Sequence, residues 1–127
     1  MKYTEDSQER YTLLQLNEPK LDATVSPQLK SKFVTLNAEG SKNIIADLSQ
    51  VKYIDSSGLS ALLIGNRLCQ DAEGAFILAG ITDHVMKLIK ISQLDTVLEL
   101  LPTVEEAVDA VFLHDLEDGL GEDDSDK

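Results

Sequence analysis

Several residue types that would point to particular classes of protein are scarce in this chain. Among 127 residues there is one cysteine, Cys69, and no tryptophan, and only 5% of the residues are aromatic. A single cysteine forms neither an internal disulfide nor a thiolate metal cage, which favours a reducing compartment. Because aromatic residues are so few, we expect an aliphatic core, with Cys69 as a small buried residue within it.

Long apolar runs are also missing. No stretch approaches the roughly 18 consecutive apolar residues expected of a membrane-spanning helix, and the start MKYTEDSQER lacks the apolar segment of a signal peptide. We therefore expect a cytoplasmic protein that is soluble and has no membrane partner.

Basic residues are outnumbered by acidic ones, 11 to 23, which gives a formal net charge of -12. Residues 115–127 carry seven acids and one lysine, and so contribute -6 of that charge. No basic stripe is visible, which argues against binding to nucleic acid. Residues 1–114 are predicted to form one domain, and residues 115–127 a disordered acidic tail.

The body of the chain alternates between strand-like and helix-like patterns. Ser26-Pro27 indicates a helix start with Ser26 as the N-cap, and Thr103-Val104-Glu105-Glu106 resembles a capping box. A further long helix is predicted from about Ser57 and a short one from Thr82. The predicted strands are YTLLQL, NIIADL, AFILA and VLELL, with one more near the N-terminus. This alternation predicts an α/β fold: a small mixed sheet of four to five strands with helices mainly on one face.

The segment Val51–Leu59, VKYIDSSGL, leads from an extended stretch directly into a helix. Asp and Ser are good N-caps, so one interpretation is a capped helix start in which Gly58 permits close packing. Two adjacent hydroxyls, Ser56 and Ser57, are more than a cap requires. A phosphate formed at this position would meet free N–H groups and a favourable helix dipole, so the segment also suggests a phosphorylation site.

These residues and their surroundings resemble the STAS domain, and more narrowly the bacterial anti-sigma factor antagonists. The similarity spans roughly residues 13–111. It includes Asp-Ser-Ser-Gly-Leu between a strand and a long helix, Leu21-Asp22 after the first long strand, and Gln93-Leu94-Asp95 where the family has Gly-Leu-Asp. The resemblance implies the STAS, SpoIIAA-like, type of α/β fold.

The resemblance also implies a mechanism. In this family a serine of the motif is phosphorylated by a partner that is both an anti-sigma factor and a serine kinase, and a PP2C-type phosphatase reverses the reaction. Ser57 is the first choice for the acceptor and Ser56 the second. The implied partner-binding residues are Asp22, Asp55, Ser56, Ser57 and Gly58, with Asp55 orienting the hydroxyls and Gly58 letting the partner approach.

Other functions are less consistent with the residues. A serine hydrolase would need a base such as His84 or His114, but the Gly-x-Ser-x-Gly pattern is missing. A constitutive STAS scaffold in another signalling or transport assembly, never phosphorylated, is the main alternative. We also considered a cation site formed by Asp22, Asp47 and Asp55. These acids are better explained as solvated loop residues and helix caps. We therefore predict a binding module, not an enzyme, with no metal and no cofactor.

Overall fold

A computed structural model describes residues 1–125 of the chain, with side chains described up to residue 117. The elements in chain order are β1 (Tyr3–Ser7), β2 (Thr12–Leu16), β3 (Lys20–Leu21), α1 (Ser26–Ala38), β4 (Ile44–Asp47), β5 (Tyr53–Ile54), α2 (Ser56–Asp71), β6 (Phe76–Ala79), α3 (Asp83–Ile91), a 3-10 turn (Leu94–Thr96), β7 (Glu99–Leu101) and α4 (Val104–Ser125).

Five of the strands form one mixed sheet in the order β1-β2-β4-β6-β7. The strands β2, β4, β6 and β7 are parallel, and β1 pairs antiparallel with β2 at one edge. The apolar runs of β4 and β6 are buried along their whole length, as expected for central parallel strands covered on both faces. The predicted sheet of four to five strands is thus confirmed.

The two faces of the sheet are covered unequally. On one face, α1, α2 and α3 pack on alternate strand residues such as Leu14, Ile44 and Leu78. On the other, α4 contributes Ala107 and Val111 to a smaller core. The prediction that helices lie mainly on one face is therefore confirmed, with α4 alone on the opposite face.

The main core is largely aliphatic. Phe33 and Phe76 are its aromatic members, in edge-to-face contact with ring centroids 5.3 Å apart. Cys69 is buried in the same cluster, and burial raises the pKa of its thiol to about 12. A thiol with so high a pKa is unreactive near neutral pH, which agrees with the interpretation of Cys69 as a core residue.

A short ladder between β3 and β5 was not predicted from the sequence. It pairs Lys20 with Tyr53 and Leu21 with Ile54 in parallel. Each strand has only two residues, too few to produce a recognisable period. Its effect is to hold the loop after β3 against the start of α2, where the Asp-Ser-Ser-Gly motif lies.

The last helix, α4, continues through Ser125 and so enters the segment assigned to a disordered tail. Asp115, the first residue of that segment, contacts the domain, because its carboxylate lies 3.5 Å from Arg10 and accepts a hydrogen bond from Asn43 at 3.3 Å. Residues 126–127 lie outside the described residues. Over the part of the chain that the structure describes, no helix is both long and apolar enough to cross a membrane.

Candidate functional site

Asp55 caps α2 and holds the hydroxyl of Ser57. Its backbone is extended (φ -113°, ψ -174°), and Oδ1 accepts hydrogen bonds from the Gly58 N–H at 3.0 Å and from Ser57 Oγ at 2.6 Å. These hydrogen bonds hold the pKa of the Asp55 carboxyl below its ordinary value, and the bond from Ser57 has the largest effect. Asp55 is therefore a carboxylate near neutral pH, and Ser57 must be the donor between them.

Ser57 also touches a residue of another helix. Its Oγ lies 3.1 Å from the Oγ of Ser26, and Ser26 Oγ lies 2.7 Å from the carbonyl oxygen of Asp22. Ser57 is half-buried, whereas Ser26 is only 2% exposed. The sequence pattern misassigned Ser26, because the N-cap of α1 is Val25 and Ser26 is the first helical residue.

The two serines of the motif lie in different surroundings. Ser56 is exposed, whereas Ser57 is half-buried and hydrogen-bonded to Asp55. The sequence alone does not reveal this difference in exposure, because Ser56 and Ser57 are adjacent residues of the same type.

Asp22 lies on the loop after β3 and close to Asp55. Its Oδ1 accepts hydrogen bonds from the backbone N–H of Thr24 at 3.0 Å and from Thr24 Oγ1 at 2.6 Å. These bonds lower the pKa of Asp22, while the nearby Asp55 charge raises it more weakly. The structure thus brings together Asp22, Asp55, Ser56 and Ser57, four of the residues predicted to bind a partner.

Asp47, the third acid considered for a cation site, is engaged in other contacts. Its Oδ1 accepts the backbone N–H of Ser49 at 2.9 Å, and its Oδ2 accepts a hydrogen bond from Gln15 at 3.2 Å. Within residues that the structure describes, no group of three or more His, Cys, Asp and Glu side chains is arranged to hold a metal ion.

Gly58 is buried beneath this surface and does not face outward. A Cβ atom at this position would lie 2.4 Å from the carbonyl oxygen of Leu21 and 2.6 Å from a side-chain carbon of Ile54. Packing inside the domain therefore accounts for Gly58, as the interpretation of a capped helix start expects, and its role in letting a partner approach the helix end stays a prediction.

The two histidines considered for a hydrolase lie apart from each other. His84 is exposed and stacks on Tyr53, with ring centroids 6.4 Å apart. His114 lies 3.5 Å from the carbonyl oxygen of Glu73, just beyond the far end of α2. A helix of this length separates its ends by roughly 24 Å, so His114 is not placed to act as a base for Ser57.

Comparisons with known proteins agree with this fold. The family model of the STAS domain matches residues 4–107. An anti-sigma-B factor antagonist of Listeria monocytogenes is 24% identical over 81 residues, which cover 64% of this chain and 71% of that protein. An anti-sigma-factor antagonist (STAS) domain protein from Planctomyces limnophilus superposes with a TM-score of 0.78 at 19% identity, covering 86% of this chain and 97% of that one.

Two other solved structures show the same fold in proteins of different kinds. The Bacillus cell fate determinant SpoIIAA in its phosphorylated form has a TM-score of 0.67 at 24% identity, covering 87% of this chain and 99% of that one. A sulfate transporter family protein from Wolinella succinogenes has a TM-score of 0.70 at 20% identity, covering 80% of this chain and 84% of that one. With a family model matching most of its length, and with the five-stranded sheet and its helices arranged as described, the chain belongs to the STAS domain family.

Proposed function

We propose that this chain is an anti-sigma factor antagonist switched by phosphorylation of Ser57. In the unphosphorylated form it binds an anti-sigma factor that is also a serine kinase, and in the phosphorylated form it is released. A PP2C-type phosphatase restores the binding form. The observation that carries the proposal is the hydroxyl of Ser57, a half-buried residue in the first turn of α2, which donates a hydrogen bond to Asp55 at 2.6 Å.

The surface around Ser57 supplies the partner contact. Asp22, Asp55 and Ser56 border the hydroxyl, and none of them is buried. A phosphate at Ser57 adds about -1.5 to -2 charges at pH 7 beside two carboxylates. If the partner covers this surface and supplies no cation at this point, the added charge is buried unpaired. A loss of about 4 kcal/mol in binding free energy corresponds to roughly a thousandfold in affinity, and no refolding is required.

The test combines phosphorylation with binding. The full chain is incubated with ATP and each kinase-like anti-sigma protein from the same genome, and the modified residue is mapped by mass spectrometry. We expect phosphate on Ser57 in the parent and none there in Ser57→Ala, which should still bind the kinase. Ser57→Asp should bind more weakly. Its fold should be preserved, because a carboxylate is tolerated at a helix N-terminus.

One observation favours a second function, that of a constitutive scaffold. The same fold occurs in a sulfate transporter family protein. If the parent takes no phosphate from any of these kinases and Ser57→Asp binds its partner as tightly as the parent, the scaffold interpretation replaces the switch.

A further inference from the structure

Two hydroxyls meet between α1 and α2, and they have fewer protons than possible acceptors. Ser57 Oγ donates to Asp55 Oδ1, so it has no proton left for Ser26. A hydrogen bond across the 3.1 Å contact therefore requires Ser26 as the donor. Ser26 has one proton and a second acceptor, the carbonyl oxygen of Asp22 at 2.7 Å. The hydroxyl of Ser26 is thus poised between Asp22 and Ser57.

We propose that Ser26 is a positioning residue for phosphoryl transfer to Ser57, and that its buried hydroxyl makes Ser57 the acceptor in preference to the exposed Ser56. This inference rests on the proposed function. Asp55 Oδ1 at 2.6 Å and Ser26 Oγ at 3.1 Å restrict the orientation of the Ser57 Oγ, with a lone pair left for attack. Nothing comparable fixes Ser56, whose side chain is exposed.

The transfer moves one phosphoryl group and one proton. A lone pair of Ser57 Oγ forms the bond to the γ-phosphorus of a nucleoside triphosphate bound by the kinase. The bond from that phosphorus to the β,γ-bridging oxygen breaks, and a nucleoside diphosphate leaves. The hydroxyl proton departs toward Asp55 Oδ1, 2.6 Å away, and then to solvent, because the remaining hydrogen bond from the Gly58 N–H favours the ionised carboxyl. Ser26 then donates to the ester oxygen, which no longer carries a proton.

The main experiment compares the parent with Ser26→Ala. This change removes one hydroxyl from a site that is 2% exposed and adds no volume. With the kinase that modifies the parent, we expect kcat for Ser57 to fall about tenfold with KM unchanged, as for the loss of one orienting hydrogen bond. The share of phosphate on Ser56 should rise. Ser26→Cys, which keeps a weak donor, should lie between the two.

The matched control is Ser60→Ala, which removes a hydroxyl from the same first part of α2, one turn beyond Ser57. It should leave both the rate and the site distribution unchanged. Urea unfolding of each variant separates a change in kinetics from a loss of folded protein. The inference is overturned if the kinase phosphorylates Ser26→Ala at the parent's rate and with the parent's distribution of phosphate between Ser57 and Ser56. That result would leave the proposed function intact.

A second measurement does not need the kinase. Phosphoserine is installed at position 57 during translation, both in the parent chain and in the Ser26→Ala variant, and the second pKa of the phosphate is measured by phosphorus NMR. A donor to the phosphoserine lowers this pKa, so Ser26→Ala should raise it. Identical values would overturn the role of Ser26 even if the parent proves not to be phosphorylated by any kinase tested. A parent that takes no phosphate would instead count against the proposed function.

Discussion

The α-carbon of Gly58 faces the backbone carbonyl oxygen of Leu21 so closely that a Cβ atom would lie 2.4 Å from that oxygen. The same carbonyl accepts a hydrogen bond from the Asp55 N–H at 3.3 Å. Two backbone segments distant in sequence are thus held together through a position that has no side chain. The acidic loop containing Asp22 and the start of α2 keep their places because of this contact.

Gly58→Ala should therefore destabilise the domain. The added methyl group must displace a backbone carbonyl, and overpacking of this kind typically costs about 1–3 kcal/mol. Urea unfolding followed by circular dichroism measures the loss. Ser56→Ala, at an exposed neighbouring position, should change the free energy of unfolding by less than about 0.5 kcal/mol. Equal stability of the two variants would contradict the packing role of Gly58.

Substitution of Gln93 by glycine should increase the stability of the domain. Gln93 follows α3 with φ 60°, in the left-handed region that favours glycine, and the related family pattern has Gly here. Gln93→Gly relieves about 1 kcal/mol of backbone strain, part of which is offset by the larger entropy of the unfolded chain. We expect a net gain of about 0.5 kcal/mol in the free energy of unfolding. Gln93→Ala keeps the strain and should give no gain; a gain from alanine as large as that from glycine would refute this account.

Asp55 should contribute a pH-dependent part of the stability. Its pKa is lower in the folded chain than its ordinary value of 3.8. The contribution is therefore fully present above the ordinary carboxyl range and is lost as pH falls through the lowered folded pKa. Asp55→Asn cannot titrate, so the stability difference between parent and variant should shrink as pH falls from about 6 toward about 2. Asp22 titrates in both proteins, so the subtraction removes most of its contribution and leaves that of Asp55 together with the weaker coupling between the two carboxylates. A difference that stays constant over this range would show that the cap does not depend on charge.

The acidic end of the chain should contribute little beyond Asp115. Leu116 is 59% exposed, so deleting residues 116–127 should change the free energy of unfolding by less than about 1 kcal/mol. Asp115→Ala should cost more, about 1–2 kcal/mol, because the carboxylate accepts a hydrogen bond from the buried Asn43. Thermal and urea unfolding of both variants provide the measurement. A larger loss on deletion than on substitution would show that the segment itself packs on the domain.

The sequence predicted the parts of the fold whose patterns are long and local. The strands β4 and β6 follow from apolar runs, and the start of α4 is confirmed by the hydrogen bond from the Glu106 N–H to Thr103 Oγ1. The ladder between β3 and β5 was missed because two residues per strand give no period. Its pairing depends on tertiary contacts, chiefly the burial of Leu21 and Ile54.

The candidate site was predicted in part. Asp55 and Ser57 were identified because a polar motif at a helix start is a local signal, and the structure confirms Asp55 as the cap. Ser26 was taken for a cap, since Ser before Pro at a helix start is the usual pattern for one. Its contact with Ser57 joins residues 31 positions apart, and no local pattern carries that information.

The two edges of the sheet have a consequence for how this domain associates with other chains. At one edge, all five residues of β1 are exposed, and Glu5 and Asp6 place two charges in its middle. At the other, β7 has three residues and is followed at once by Pro102. Short or charged edges discourage strand addition, the route by which open sheets aggregate or exchange strands. Backbone pairing is thus disfavoured on both sides, which favours recognition of this domain through its side chains.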